Sequence, residues 1–427
     1  MTFIAPAKCL SGKISLSGDK SVSHRLVLYS LLHSGSFEIH NLSTCEDVKT
    51  SLKVFSQAGG RIENISENRI RLFSPEAKEI PEQHFFCGNS GTTARLLAGI
   101  LSGKHGNYSF SGDESLSQRP MRRIFTPLTM MGAEFVSQSG GLPFSLSGKS
   151  SLKPVIYDLP MASAQVKSAI LLAATRANGL SRVTEPSRTR DHTERLLKYL
   201  GADIQTEGNS IAFKGPFLST GHQAFEVPGD ASSAAFLVVA ALLIPGSNIC
   251  IENVLLNPTR TAFLKKLKEM GAKIEYRAKD NSFEPSGDIK ALYSENLQAT
   301  TVHPEEVASL IDELPALAIA MAKAKGISKV TGASELRVKE SDRIKAICDF
   351  LGQMNVTIEE SNDGYSITGT DKIDFDGTTK ETSDHRIAAA MTIAALASKT
   401  GFVIPDTDCI GISFPDFFSC LSGLKQD

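Results

Sequence analysis

Six times along this chain, a turn of Gly, Pro, Asp or Ser leads into an apolar helix and then a Gly-led strand. The helix starts read GDKSVSHRLVLYSLL (from Gly18), CGNSGTTARLLAGIL (from Cys87), MASAQVKSAILLAAT (from Met161), PGDASSAAFLVVAALL (from Pro228), DELPALAIAMAKA (from Asp312) and SDHRIAAAMTIAALA (from Ser383). They lie roughly 70 to 85 residues apart, and such repetition sets the architecture because each unit must be buried by its copies. Four of the six starts place Lys, Arg or Gln beside Ser, Thr or Gly. A helix N-terminus already attracts anions through its free N–H groups and its dipole. Several such starts with added ammonium and guanidinium groups predict a site for a multiply charged anionic substrate.

The rest of the composition narrows the class. A chain of 427 residues suggests two to three ordinary domains. Hydrophobic content of 41% and charged content of 22% are those of a soluble globular protein. A net charge of −2 gives no global basic field, so nucleic acid is not an expected partner and any anion site must come from local clustering. The seven cysteines are scattered and form no CxxC, which fits a reducing cytoplasm better than a zinc, iron–sulfur or disulfide framework. The start MTFIAPAKCLSGK has no apolar core of a signal peptide. The longest apolar run, AAFLVVAALLI at 234–244, is too short to span a bilayer and reads as a buried helix.

Strands follow each apolar helix: GSFEIHNL, GNYSFSG, GLSRVTEP, GSNICIENV, GISKVTGA and GFVIPDT. Most units then add a second helix, such as VKTSLKVFSQAGG, HTERLLKYLGA or SDRIKAICDFLGQM, which ends near Gly. The first helix type is apolar nearly all round and should be buried on every side; the second has one apolar stripe and belongs nearer the surface. This predicts an α/β architecture of βαβαββ-type repeats turned inside out, with helices central and sheets on the flanks. Six units exceed one core, so two domains of three repeats are expected. The sixth unit runs out at FPDFFSCLSGLKQD without closing strands, while AKCLSGKISLSG reads as an unattached strand pair before the first helix. Residues 1–17 with 228–427 are therefore expected to form one discontinuous domain, and 18–227 an inserted one. The two crossings, near Ser17–Gly18 and Val227–Pro228, would form a hinge.

The candidate chemistry sits at the helix starts. In GDKSVSHR, Lys20 and Ser21 open a helix and Arg25 lies one turn on; the group reads as a phosphate or carboxylate site, or as a plain cap with a surface Arg. It is not a P-loop. In GNSGTTAR, Gly88 and Gly91 surround a helix start, with Arg95 one turn later; this is a turn or a place for close ligand approach. SQRPM sets Arg119 before Pro, and SAQVK puts Ser163, Gln165 and Lys167 at a helix start. LRVKESDR carries Lys339, Glu340 and Arg343, with Lys339 and Arg343 four apart, and DHR adds Arg386; alone, such pairs read as solvated faces. Asp312 and Glu313 open a buried helix, as cap or as base. The histidines show no metal-ligand spacing, and no GxSxG or dinucleotide fingerprint occurs.

Taken in order on six repeats, these motifs resemble the 5-enolpyruvylshikimate-3-phosphate synthase (3-phosphoshikimate 1-carboxyvinyltransferase) family over essentially the whole chain. The resemblance implies a two-domain inside-out α/β barrel with its site in the interdomain cleft. It implies transfer of the enolpyruvyl group of phosphoenolpyruvate to the 5-hydroxyl of shikimate 3-phosphate, on the route to chorismate and the aromatic amino acids. It implies no cofactor and no metal and a cytoplasmic monomer, and it makes glyphosate a candidate inhibitor, with sensitivity and tolerance both open at Gly91. Carried over by residue, Lys20, Ser21, Arg25, Ser163, Ala164, Gln165, Asp312 and Lys339 would bind shikimate 3-phosphate. Lys20, Asn89, Gly91, Thr92, Arg119, Gln165, Arg343 and Arg386 would bind phosphoenolpyruvate. Asp312 would accept a proton, with Glu340 and Lys20 sharing the remaining transfers. Three positions depart from the best-known branch: Ala164 for Ser, Glu335 for Asn, and Ile412 for a Lys near phosphoenolpyruvate. RDHTE, SAQVK and NPTR (257–260) resemble a second branch, often glyphosate-tolerant, which can carry Ala where Gly91 stands.

Three rivals are less well matched. The sister family of UDP-N-acetylglucosamine enolpyruvyl transferases uses a loop Cys where Glu114 stands here. RNA 3′-phosphate cyclase needs nucleotide and RNA binding, for which this chain has neither motif nor charge. A catalytically dead anion-binding module would not need Asp312, Glu340, Lys20 and the arginines together.

Overall fold

The structure is a computed structural model of the chain and describes residues 1–66, 68–75, 80, 82–279, 283–370 and 373–426. Its chain contacts divide into two compact units. One comprises Gly18–Val227 with Ser282–Glu284; the other comprises Met1–Ser17, Pro228–Asn281 and Pro285–Asp427.

The inserted unit, 18–227, carries helices α1 (Lys20–Tyr29), α2 (Glu46–Gln57), α3 (Gly91–Ser102), α4 (Glu114–Ser117), α5 (Arg122–Met130), α6 (Ala164–Ala174) and α7 (His192–Tyr199). The apolar three begin where a short polar side chain can satisfy free N–H groups. Asp19 accepts from the Val22 N–H at 3.0 Å, Ser90 from Thr93 at 3.2 Å and Ser163 from Val166 at 3.4 Å. Nearly every residue of α1, α3 and α6 is buried. The amphipathic helices alternate with them, and α1, α2, α3, α5, α6 and α7 pack in a closed ring. Gly99 permits the closest approach: a Cβ there would lie 2.4 Å from the Ala169 carbonyl oxygen of α6.

Three four-stranded sheets flank this ring, and all repeat one pattern. Each Gly-led strand (Ser34–His40, Gly106–Ser111, Gly179–Thr184) pairs in parallel with one strand and antiparallel with the next. Their outward positions leave Ile156 and Leu180 exposed.

The discontinuous unit repeats the plan with α8 (Ala231–Leu243), α9 (Ala262–Glu269), α10 (Pro304–Leu310), α11 (Leu314–Lys323), α12 (Arg343–Gln353), α13 (His385–Leu396) and α14 (Phe417–Leu424). Helices α8, α11 and α13 are buried almost throughout and pack on one another. The inside-out order read from the sequence therefore holds in each unit, helices within and sheets without.

Four details differ from the sequence reading. The stretch AKCLSGKISLSG is one strand, Cys9–Ser15, and not a pair. Thr2–Ile4 pairs with Phe402–Ile404 of the sixth repeat, while Cys9–Ser15 runs parallel to Asn248–Leu255 of the fourth. Helix α10 had no apolar signature; Pro304 in its first turn and the Glu306 carboxylate accepting the His303 N–H at 2.9 Å set its start. Phe283 and Glu284 pack with the inserted unit: Phe283 meets Tyr199 and Phe225, and Glu284 pairs with His192 at 2.7 Å. Lys339 and Arg343 do not share a helical face, because α12 begins at Arg343 and Lys339 follows a short 3-10 turn, Ser334–Val338, in extended backbone.

Candidate active site

In the inserted unit the polar groups gather at the N-termini of α1, α3 and α6. Lys20 Nζ donates to Asp47 Oδ2 at 3.0 Å, and the Ser21 hydroxyl accepts from Arg190 at 3.3 Å. Arg25 is no surface residue: it is 4% exposed. Its Nε donates to Thr193 Oγ1, its Nη2 to Ser168 Oγ and its Nη1 to the Ser21 carbonyl, each at 2.8 Å. Burial pushes its pKa down to about 10, against the pull of Glu194.

The starts of α3 and α6 are stitched together. Gln165 donates from Nε2 to Thr92 Oγ1 at 2.8 Å and accepts from Arg95. Asn89 accepts from Arg119 at 2.9 Å and donates to Asp113 at 2.8 Å. Gly91 sits between these cations: a Cβ there would meet Arg95 Nη1 at 3.0 Å and Arg119 Nη1 at 3.7 Å. Ser163 caps α6, and Ala164 is its first residue. Beneath this surface, His24 bonds Ser51 Oγ at 2.7 Å, Ser51 meets Thr93 Oγ1 at 2.8 Å, and Thr93 donates to Ser90 Oγ at 2.7 Å. Burial drives the His24 pKa down to about 3, so the ring is neutral.

In the discontinuous unit two arginines converge on two carboxylates. Arg343 donates to Glu340 Oε2 at 2.6 Å and to Asp312 Oδ1 at 3.4 Å. Arg386 donates to the Asp312 carbonyl at 2.8 Å, and its Nη2 lies 3.7 Å from Asp312 Oδ2. The arginine side chains are 1% and 8% exposed, the Asp312 and Glu340 carboxylates 16% and 24%. The cations are thus fixed in the protein while the carboxylates reach solvent. Asp384 underlies the cluster: it accepts from Arg343 Nε at 2.8 Å and Nη2 at 3.3 Å, from Ser341 at 2.9 Å and from the Arg386 N–H at 3.0 Å. Burial opposes the charge on Arg343, but Asp384 and Glu340 outweigh it and hold the guanidinium above its ordinary range. Burial likewise opposes the Asp384 charge, and Arg343 outweighs it, so that carboxyl lies below the usual range. Lys339 is half-buried, and desolvation lowers its pKa against the pull of Asp312 and Glu340.

Several sequence readings change here. Lys167 is not a ligand candidate: it is buried, with Nζ 2.8 Å from Glu185 and 2.6 Å from Glu194. The carboxylates opening α11 do not cap it; Glu313 occupies the cap position without a capping hydrogen bond, its Oε1 accepting from Ser232 at 2.5 Å. Glu335 lies in the 3-10 turn Ser334–Val338 and Ile412 ends another, Asp408–Ile412; both are half-buried. The sequence reading missed Asp47, Thr193, Ser168 and Asp384, which hold the cations. Asp384 and Asp47 had a local signal, an Asp at a helix start: one caps α13 and the other lies in the first turn of α2. Among the described residues no group of three or more His, Cys, Asp or Glu could hold a metal ion, and no helix is long and apolar enough to cross a membrane.

The family model of EPSP synthase (3-phosphoshikimate 1-carboxyvinyltransferase) matches residues 4–421. A 3-phosphoshikimate 1-carboxyvinyltransferase of Carboxydothermus hydrogenoformans is 44% identical over 427 residues, covering 99% of this chain and 98% of its own. One from Petrotoga mobilis is 40% identical over 429 residues, covering 99% of each. A solved structure of EPSP synthase from Acinetobacter baumannii superposes with a TM-score of 0.87 at 38% identity, covering 99% of this chain and 97% of that one. The enolpyruvyl transferase NikO from Streptomyces tendae, at 17% identity and a TM-score of 0.78, shares the fold. With a family model spanning nearly its full length and relatives of this identity, the chain belongs to the EPSP synthase family.

Proposed function

We propose that this enzyme transfers the enolpyruvyl group of phosphoenolpyruvate to the 5-hydroxyl of shikimate 3-phosphate, releasing phosphate. The observation that carries the reading is the pairing of fixed arginines with reachable carboxylates around Asp312. Both substrates bear a phosphate and a carboxylate, so their approach needs several fixed cations, and Arg grips such groups bidentately. Arg343, Arg386 and Arg119 take phosphoenolpyruvate, with Asn89, Gly91, Thr92 and Gln165. Lys20, Ser21, Arg25, Ser163, Ala164, Gln165 and Lys339 take shikimate 3-phosphate.

Protonation of the phosphoenolpyruvate methylene makes C2 electrophilic. The 5-hydroxyl adds there and gives up its proton, forming a tetrahedral intermediate. Loss of phosphate, with loss of a proton from the new methyl group, gives the enol ether. The reaction needs an acid near the methylene and a base near the hydroxyl. Glu340 and Asp312, partly exposed beside arginines, fill these roles, with Lys20 sharing the transfers.

The same reading takes the two units as two three-repeat domains of a cytoplasmic monomer. Glyphosate, which carries a phosphonate and a carboxylate, competes for the phosphoenolpyruvate groups. The test is phosphate release from phosphoenolpyruvate with shikimate 3-phosphate, beside UDP-N-acetylglucosamine, without added metal or nucleotide. Release only with shikimate 3-phosphate is expected; release with the nucleotide sugar, or with neither acceptor from folded protein, overturns it.

A further inference from the structure

Arg25 comes to the site with most of its hydrogen bonds already made. A guanidinium has five N–H groups. Three of them donate within the protein, to Thr193 Oγ1, Ser168 Oγ and the Ser21 carbonyl. Among the described residues, one N–H on each Nη atom is left over, and that pair matches the two oxygens of a carboxylate or a phosphate edge. Thr193 Oγ1 also donates to Ser168 Oγ at 2.8 Å. The two hydroxyls thus form one linked acceptor along the Nε and Nη2 edge of the guanidinium, and that edge is spent before any ligand binds.

The hydroxyls stand on different helices, Ser168 on α6 and Thr193 on α7. Their chain neighbours, Lys167 and Glu194, join those helices through an ion pair of 2.6 Å, and Lys167 also meets Glu185 at 2.8 Å. Glu185 in turn accepts from the Thr189 hydroxyl. The whole group is buried. Counting Arg25, it holds two cations and two carboxylates and so carries no net charge, the condition under which buried ions are tolerated. The sequence motifs SAQVK and RDHTE, one of which opens a helix of the site, are thus two sides of one contact.

We propose that Thr193 and Ser168 are positioning residues for Arg25, held in register by the Lys167–Glu194 pair, so that Arg25 presents its two remaining N–H groups to an anionic group of shikimate 3-phosphate. This rests on the functional reading above. An Arg side chain fixed before binding loses little rotamer freedom when the ligand arrives. The benefit falls on the acceptor substrate alone, because Arg25 belongs to its set and not to that of phosphoenolpyruvate.

The experiment is steady-state kinetics of the full-length enzyme, each substrate varied at saturation of the other, with a thermal melt of every variant. Thr193→Val keeps the shape and removes the hydroxyl; Thr193→Ser keeps the hydroxyl. Thr193→Val is expected to raise KM for shikimate 3-phosphate roughly tenfold, the scale of one hydrogen bond to a charged group. KM for phosphoenolpyruvate and kcat should stay within about twofold, and Thr193→Ser should restore the wild-type pattern. Glu194→Gln should move the same constant in the same direction. If Thr193→Val does not fold, Ser168→Ala removes the Nη2 acceptor alone and should give the same split. An unchanged KM for shikimate 3-phosphate, or equal changes for both substrates, overturns the proposal while leaving the function intact. A wild-type enzyme inactive with shikimate 3-phosphate overturns the functional reading instead.

Discussion

Changing Asp384 to Asn tests how the arginine pair is held. Asp384 is fully buried at the start of α13. Its Oδ1 accepts from the Arg386 N–H and from Arg343 Nη2, and its Oδ2 from Arg343 Nε and Ser341. An Asn has one acceptor and one NH2 group. If its oxygen keeps the cap, the NH2 group faces Arg343 Nε, donor against donor; if it flips, the cap is lost and the NH2 group faces the Arg386 N–H. Removing one partner of a buried ion pair costs about 3–5 kcal/mol. Arg343 keeps Glu340 and Asp312, so the lower end, about 3 kcal/mol, is expected. At ~2–4 °C per kcal/mol for a unit of this size, the transition of the discontinuous unit should fall by roughly 6–12 °C.

The pH dependence follows from the depressed Asp384 carboxyl. A carboxyl whose folded pKa is lowered contributes stability above its unfolded value, near ~3.9, and that contribution is lost as pH falls through the folded value. Wild type and Asp384→Asn should therefore differ at neutral pH and converge in acid. KM for phosphoenolpyruvate should rise roughly tenfold or more, since the Arg343 guanidinium and the main-chain N–H of Arg386 both bond this carboxylate. Calorimetry across pH with steady-state kinetics checks all three. A melting point within about 2 °C of wild type with unchanged KM would refute the reasoning.

Three further outcomes are expected. Asp312→Ala should fold normally and lose about 10²–10⁴-fold in turnover, the usual share of a general acid–base group; near-normal turnover would remove it from the mechanism. The neutral, buried His24 binds a proton only when unfolded between about pH 3 and its ordinary ~6.5, so it should destabilise the fold as pH drops below ~6.5, by up to ~1.4 kcal/mol per unit. Urea titrations should show His24→Asn flatter in acid than wild type, and equal slopes would contradict the assignment. Gly91→Ala would place a methyl 3.0 Å from Arg95 Nη1, the mobile end of a side chain, and 3.4 Å from Leu116. The fold should tolerate it within about 1 kcal/mol, while inhibition constants should show glyphosate weakened more than phosphoenolpyruvate.

The repeat, the six apolar helices, the caps of all but α11 and the cations beside them were legible in the chain's letters alone. Those features are short-range: a helix start needs only a capping side chain and the apolar run behind it, as at Asp19, Ser90 and Ser163. Tertiary structure decided what each cation does. Arg25 meets Thr193 across 168 residues, Lys20 meets Asp47 across 27, and Arg343 meets Asp384 across 41. Lys167 and Arg25 look equally available as letters near a helix start, yet one is sealed between two glutamates while the other keeps two N–H groups to offer. The N-terminal strands went to separate repeats for a similar reason: Thr2–Ile4 pairs antiparallel with Phe402–Ile404 and Cys9–Ser15 parallel with Asn248–Leu255, and only the packed sheets decide which edge is in reach. Burial makes each ion find a partner, and which partner lies in reach is a property of packed helices, not of spacing along the chain.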